Sequence, residues 1–341
     1  MGNRLSGLTA ALVAAAIVFC GCARLRVEAE TGGMLLFSAL GEMRPQTEAG
    51  PLFGTAKPNP LAGLTPDLSA RSLVMADLAG GFNFNCPPSD NALVWQQEWL
   101  PSLAEVNLRV LNLADDHALD CGPDALSQSL NWLLLREFYP AGAGFNQTSA
   151  RAPVYLNRDG VTLGIAAFLV APLNGEACET CPGPARYKRS AMIAALAEMK
   201  SRADHRIVVL HFAERASPAL ANEETALVRE AIDYGADLIL GVGPTAAGAL
   251  ARVRGRWIIG SLGRALGGPD RPDAECDGLM ISAEFTPDKI MNLRLMPVKL
   301  KEGKPALLRD EAAAVALRKI LAASPDAAAN ATLVGDILYL K

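Results

Sequence analysis

Short apolar runs recur along this chain with helically patterned segments between them, and this alternation constrains the fold more than any other feature. Met34–Leu40 is nearly continuous and suits a strand buried on both faces. Ser72–Asp77, Val106–Leu113, Val161–Val170, Ile207–His211, Ala236–Gly241, Trp257–Ser261 and Gly278–Phe285 follow as further strands, and Met291–Val298 pairs with the last of these as an antiparallel hairpin. Helical spacing marks Asp124–Phe138, Ser190–Arg202, Asn222–Tyr234 and Asp310–Ala323, and a last short strand falls at Asp336–Leu340. Residues 44 to 70 are rich in Pro and Gly and read as a loop. Strand–helix alternation with a late strand-rich segment predicts an α/β domain over residues 34–341, built on a mixed sheet or two stacked sheets.

Composition narrows the function classes. A net charge of −4, with no basic block, argues against a nucleic-acid binder. With only 3 His, at 117, 205 and 211, any metal centre must lean on carboxylates. At the N-terminus Arg4 precedes the apolar run Leu8–Phe19, which is too short to span a bilayer and has the form of an export signal. The run ends in Phe19-Cys20-Gly21-Cys22, which resembles a bacterial lipobox with Cys22 as the acylated residue. Residues 1–22 are thus expected to be a lipoprotein-type signal and residues 23–33 a tether, with plain secretion and an uncleaved anchor as alternatives. Ala23 after the Cys leans toward the outer membrane. Export makes thiols prone to oxidise. Cys178 and Cys181 then read as a local disulfide, with a redox motif or half a zinc site as alternatives; Cys86 and Cys121 are able to pair, but five Cys with two bridges allow fifteen arrangements, and the odd Cys, for instance Cys276, stays open.

In an α/β sheet, ligands gather outside the carboxyl ends of the strands. Just past the runs stand Glu42, Asp77, the Asp115-Asp116-His117 cluster, His211, the Gly241–Thr245 loop and the Gly260–Gly263 turn with Ser261. Carboxylates and His drawn from several strand ends are how two-metal phosphoesterases assemble a site. His205, beside Asp204 and Arg206, reads as ordinary surface.

The order of these segments resembles the CapA-type capsule-synthesis proteins of poly-gamma-glutamate biosynthesis. Leu113–Gly122 (LADDHALDCG) looks like that family's S-L-A-N-N-H-A-L-D-Y-G, and Gly142–Gly144 like its G-A-G. Val208–Glu214 resembles the H-W-G-x-E strand end, Asp233–Gly241 the D-x-G-A-D-x-V-I-G segment, and Ile259–Gly263 the Y-S-L-G-N turn. The resemblance implies a calcineurin-like metallophosphatase fold, two stacked mixed β-sheets flanked by helices. It implies metal ligands at Glu42, Asp77, Asp116 and His211, catalytic roles for Asp116 and His117, and binding roles for Asp115, Gly241, Ser261 and Arg264. The departures are specific: Glu42 replaces an Asp, Asp115 and Asp116 replace two Asn, Arg264 replaces an Asn, and the family's G-H-H-P-H is Gly241-Val-Gly-Pro-Thr245, without a His. The remaining ligands suit one divalent cation, Mn or Mg, or none. His117 either contacts metal or phosphate or hydrogen-bonds locally, for instance to Asp120. The expected protein is a lipid-anchored, periplasm-facing envelope protein of a bacterium, working on capsule or exopolymer with partners that are an anionic polymer or the proteins that make it. Its phosphatase activity is expected to be weak or lost; the alternative is an active metal-dependent phosphoesterase.

Overall fold

Residues 33–47, 50–51, 59–68, 72–87, 92–173, 175–268 and 271–341 are described by a computed structural model. The expected signal, the tether up to residue 32 and the lipobox Cys22 lie outside these residues. Among the described residues no helix is long and apolar enough to cross a membrane.

The strands of the two main sheets, in chain order, are β1 (Leu35–Met43), β2 (Ser72–Leu78), β3 (Leu108–Asn112), β4 (Tyr139–Ala141), β5 (Val154–Arg158), β6 (Val161–Leu169), β7 (His205–His211), β8 (Leu238–Val242), β9 (Gly248–Val253), β10 (Arg256–Ser261), β11 (Arg264–Leu266), β12 (Gly278–Phe285), β13 (Ile290–Lys301), β14 (Lys304–Leu307), β15 (Ala331–Val334) and β16 (Ile337–Leu340). One sheet runs β15-β16-β13-β12-β1-β2-β3-β4, with β11 beside β1 and β14 beside β13; the other runs β5-β6-β7-β8-β10-β9. In the first, the parallel strands β1 to β4 form one side and the strands beyond β12 are antiparallel; in the second, a parallel centre β6-β7-β8-β10 has antiparallel edges β5 and β9. The mixed topology explains why the central runs carry apolar residues on both faces: each face meets another layer.

Those layers can be named. Leu35, Phe37 and Ile281 of the first sheet share one core with Ile165, Ile207 and Leu240 of the second, so the sheets stack face to face. On the outer face of the first sheet, Leu126, Leu130 and Leu133 of α1 (Gly122–Leu134) cover Val74, Ala76 and Leu111. On the outer face of the second, Met192, Leu196 and Met199 of α2 (Arg189–Arg202) and Leu227, Val228 and Ala231 of α3 (Asn222–Asp233) cover Val208, Leu210 and Ile239. This is the helix–sheet–sheet–helix layering expected from the sequence. A further helix, α4 (Asp310–Ala322), buries Leu317 and Ile320 in the inter-sheet core and touches β9 on one sheet and β13 and β16 on the other.

His205 corrects its reading as surface. The strand begins at His205 itself, the ring is buried, its Nε2 lies 2.6 Å from the carbonyl of Thr286, and it meets Phe285 edge-on. The polar neighbours Asp204 and Arg206 gave no sign of that tertiary roof. Disulfides join Cys86 to Cys121 and Cys178 to Cys181, and Cys276 is free.

Candidate metal centre

The parallel strands of both sheets deliver their polar strand ends to one pole. From the first sheet come Glu42 on β1, Asp77 on β2, Asn112 on β3 and the Asp115–His117 turn; from the second comes His211, the last residue of β7. Glu42 is the register partner of Asp77, and Asp77 that of Asn112, so the three stand side by side across neighbouring strands. All three, with Asp115 and His211, are buried.

Across the gap between sheets, His211 Nδ1 lies 3.2 Å from Asp77 Oδ2 and 3.5 Å from Asp115 Oδ2, while its Nε2 lies 3.1 Å from Asp116 Oδ1. The far oxygens of the two buried acids are already taken. Asn112 donates to Asp77 Oδ1 at 2.5 Å, and the backbone N–H groups of His117 and Gly80 donate to Asp115 Oδ1 at 2.7 and 3.3 Å. What remains is Asp77 Oδ2, Asp115 Oδ2 and His211 Nδ1, buried atoms without a hydrogen-bond partner that lie within 4.8 Å of one another. The close approaches of His211 Nδ1 are therefore charge contacts, not hydrogen bonds. Orphaned buried polar atoms are costly, and three converging on one point form a set that could hold a metal ion.

The electrostatics of the cluster express the same crowding. Burial pushes the Asp115 carboxyl up to about 8, against the pull of His211 and with the help of Asp77, Asp116 and Glu42. Burial opposes protonation of His211, yet the charges of Asp77 and Asp115 hold its imidazole well above the usual range. Burial likewise lifts Glu42, partly countered by Arg44. Asp116 is the exception: burial works against its ionised form, but its bond to His211 holds the carboxyl below the usual range. Without a cation, an imidazolium keeps the acids together.

The other candidate residues divide by place. Asp116 touches His211 from the side opposite Asp77 and is 30% exposed, so Asp115, not Asp116, completes the buried set. His117 Nδ1 lies 2.9 Å from Asp120, which lifts the imidazole to about 8 although burial opposes it. Glu42 binds Arg44 at 2.9 Å, and its second oxygen lies 3.6 Å from Arg264 Nε. Ser261 is buried in a turn, donating to Pro244 O at 3.1 Å and accepting from the Gly263 N–H at 3.0 Å. A Cβ on Gly241 would sit 2.0 Å from Gly260 O, so this glycine permits close packing of β8 on β10. Gly243 has φ +101, and a Cβ there would come 3.2 Å from His211 Nε2.

Sequence reasoning passed over Asn112 and Arg44. Asn112 has a signal, an amide closing an apolar run, but its task depends on register with Asp77. Arg44 stands at the start of a Pro/Gly-rich loop, two residues after Glu42, and only the fold brings it to Glu214.

Comparison with known proteins identifies the family. The family model "Bacterial capsule synthesis protein PGA_cap" matches residues 37–267. The chain is 23% identical over 231 residues to the PGA biosynthesis protein CapA of Bacillus subtilis (strain 168), covering 67% of this chain and 60% of that protein. It is 23% identical over 215 residues to the capsule biosynthesis protein CapA of Bacillus anthracis, covering 62% of this chain and 52% of that one. The alignments thus span between half and two thirds of these relatives. Among solved structures, a hypothetical protein from Thermus thermophilus superposes with TM-score 0.47 at 13% identity, over 80% of this chain and 99% of that one. The NAD nucleotidase NadN of Haemophilus influenzae gives TM-score 0.41 at 12% identity, over 85% and 56%.

Proposed function

The chain belongs to the bacterial capsule synthesis protein PGA_cap family and has a calcineurin-like metallophosphatase fold, and from that premise we propose that it serves the synthesis or handling of a poly-gamma-glutamate-like capsule or exopolymer. In this reading it is anchored through lipid on Cys22 at the periplasmic side of a bacterial membrane, preferentially the outer one. It meets there an anionic polymer or the proteins that make it.

The observation that carries the reading of the site is the set of partnerless atoms Asp77 Oδ2, Asp115 Oδ2 and His211 Nδ1. Two carboxylate oxygens and one imidazole suit a single divalent cation, Mg or Mn. Such a cation, when bound, would polarise an oxyanion and acidify a water. The chain's own residues do the positioning. Asn112 turns Asp77 Oδ2 inward, the His117 and Gly80 amides do the same for Asp115 Oδ2, and Asp116 takes the Nε2–H of His211, leaving the Nδ1 lone pair free in the neutral ring.

A second cation has little to bind. Glu42 Oε1 accepts from Arg44 and its Oε2 faces the Arg264 guanidinium at 3.6 Å, and Val242, Gly243 and Thr245 stand where the family resemblance places imidazoles. Phosphatase activity is accordingly weak or absent in this reading. The experiment is metal analysis of the purified protein together with a phosphodiesterase assay in Mn and Mg. One equivalent of metal without turnover supports the reading; turnover that disappears in His211→Ala replaces it with an active metal-dependent phosphoesterase.

A further inference from the structure

Beside the cation set lies a second cluster of fixed charge. Arg264 is 3% exposed, and its Nε and Nη1 have no hydrogen-bond partner. Its Nη2 donates to Glu214 Oε1 at 2.7 Å, and Arg44 Nη2 donates to Glu214 Oε2 at 2.8 Å. On the inner side both guanidinium groups face Glu42, through Arg44 Nε at 2.9 Å and Arg264 Nε at 3.6 Å. At Glu214 each carboxylate oxygen is thus taken by a different guanidinium, whereas Glu42 Oε2 has no hydrogen-bond partner. The anchor and the occupant of the two arginines differ in kind. Glu42 is buried within β1, whereas Glu214 is 43% exposed in the segment between β7 and α3.

We propose that Arg44 and Arg264 form an oxyanion clamp for a carboxylate or phosphoryl group of an anionic ligand, and that Glu214 is its internal, displaceable occupant. Paired guanidinium forks match the planar or tetrahedral oxygens of such groups and keep their charge at any working pH. An ion pair to a half-exposed carboxylate is weak, whereas a desolvated guanidinium with unpaired N–H groups gains from any better acceptor. Place supports the same reading. Glu42 is the register partner of Arg264 on one side and of Asp77 on the other, so the clamp adjoins the cation set by a single strand. The inference names the group recognised in the proposed function and rests on that reading for its location, but the clamp itself needs no cation.

The test is calorimetry on the full chain after EDTA treatment, with inorganic phosphate and glutarate as probes. Glu214→Gln removes the internal charge and is expected to tighten binding at least about three-fold. In the Glu214→Gln background, Arg264→Met or the less buried Arg44→Met is expected to weaken it about ten-fold. Phosphate binding tighter than glutarate supports a phosphoryl ligand, and the reverse supports a carboxylate. Binding that Glu214→Gln leaves unchanged or weakens overturns the proposal, as does binding that survives Arg44→Met in that background. A separate titration with Mn tells the two readings apart, because retained Mn binding leaves the cation site standing when the clamp fails.

Discussion

At the residue scale the decisive atom is His211 Nδ1, which faces two buried carboxylates on one side while Asp116 fixes the ring from the other. Burial keeps a proton on Asp115, whose carboxyl is pushed up to about 8, and the charges of Asp77 and Asp115 outweigh burial to keep one on His211, held well above its usual range. A cation entering the set must displace at least one of these protons. The sign follows: binding strengthens as pH rises, about ten-fold per unit for each proton released, until the displaced group has lost its proton in the free protein. Calorimetric Mn titration at about pH 6 and 8, in buffers of different ionisation enthalpy, reads both the slope and the released protons; a flat affinity would contradict the assignment. Cys276 gives a second test at this scale. Burial, reinforced by Asp277 and Glu275, pushes its thiol up to about 11, so little thiolate exists near pH 8. Alkylation by iodoacetamide is expected to run about ten-fold slower than for a free thiol, the scarcity of thiolate being partly offset by its greater nucleophilicity. Peptide mass spectrometry over time measures it.

Among elements, the parallel strands carry the most exacting packing. A Cβ on Gly241 would sit 2.0 Å from Gly260 O, so Gly241→Ala must part β8 from β10 or strain both. Overpacking of this kind costs about 1–3 kcal/mol, read as a lower denaturation midpoint without change of slope. The Cys86–Cys121 disulfide has a different task. It ties the stretch after β2 to the start of α1, closing a loop of sequence separation 35 around the Asp115–His117 turn. Opening it with Cys86→Ser and Cys121→Ser is expected to cost about 3–4 kcal/mol by chain entropy, measured by urea unfolding. The central strands were legible because their burial on both faces leaves an apolar signature; Gly278–Phe285 falls where its run lies. The edge strands were not. Val154–Arg158 and Gly248–Val253 mix polar with apolar residues because one long side is solvated, and their pairing with β6 and β10 decides them. The expected helix to Phe138 stops at Leu134, since Glu137 takes a left-handed conformation that a helix cannot continue.

For the whole molecule, what matters is that the candidate cation set crosses the inter-sheet gap: Asp77 and Asp115 belong to the first sheet and its loop, His211 to the second. Strand-end position pointed to all three residues in the sequence. What sequence could not supply was which oxygen of each acid is taken and which is spare, because that depends on Asn112 and on backbone amides brought in by register. Nor could the sequence show Arg44 and Arg264 meeting on Glu214, residues that only tertiary folding joins. The crossing has a consequence for stability. A ligand that binds only the folded chain stabilises it by mass action, about 2.7 kcal/mol at a hundred-fold excess over the dissociation constant. Because this one would join two sheets that otherwise meet through apolar packing, local opening of either sheet abolishes its site and the gain extends to the whole domain. A domain of this size is expected to shift its Tm upward by at least about 4 °C under those conditions. His211→Ala removes the second sheet's only donor to the set, and Asp77→Asn one of the first sheet's. Both variants are expected to melt at a temperature that Mn leaves unchanged, whereas Glu214→Gln, outside the set, keeps the full shift. A scan with and without Mn measures all four proteins. A shift that persists in His211→Ala would mean that the cation binds one sheet alone, or elsewhere.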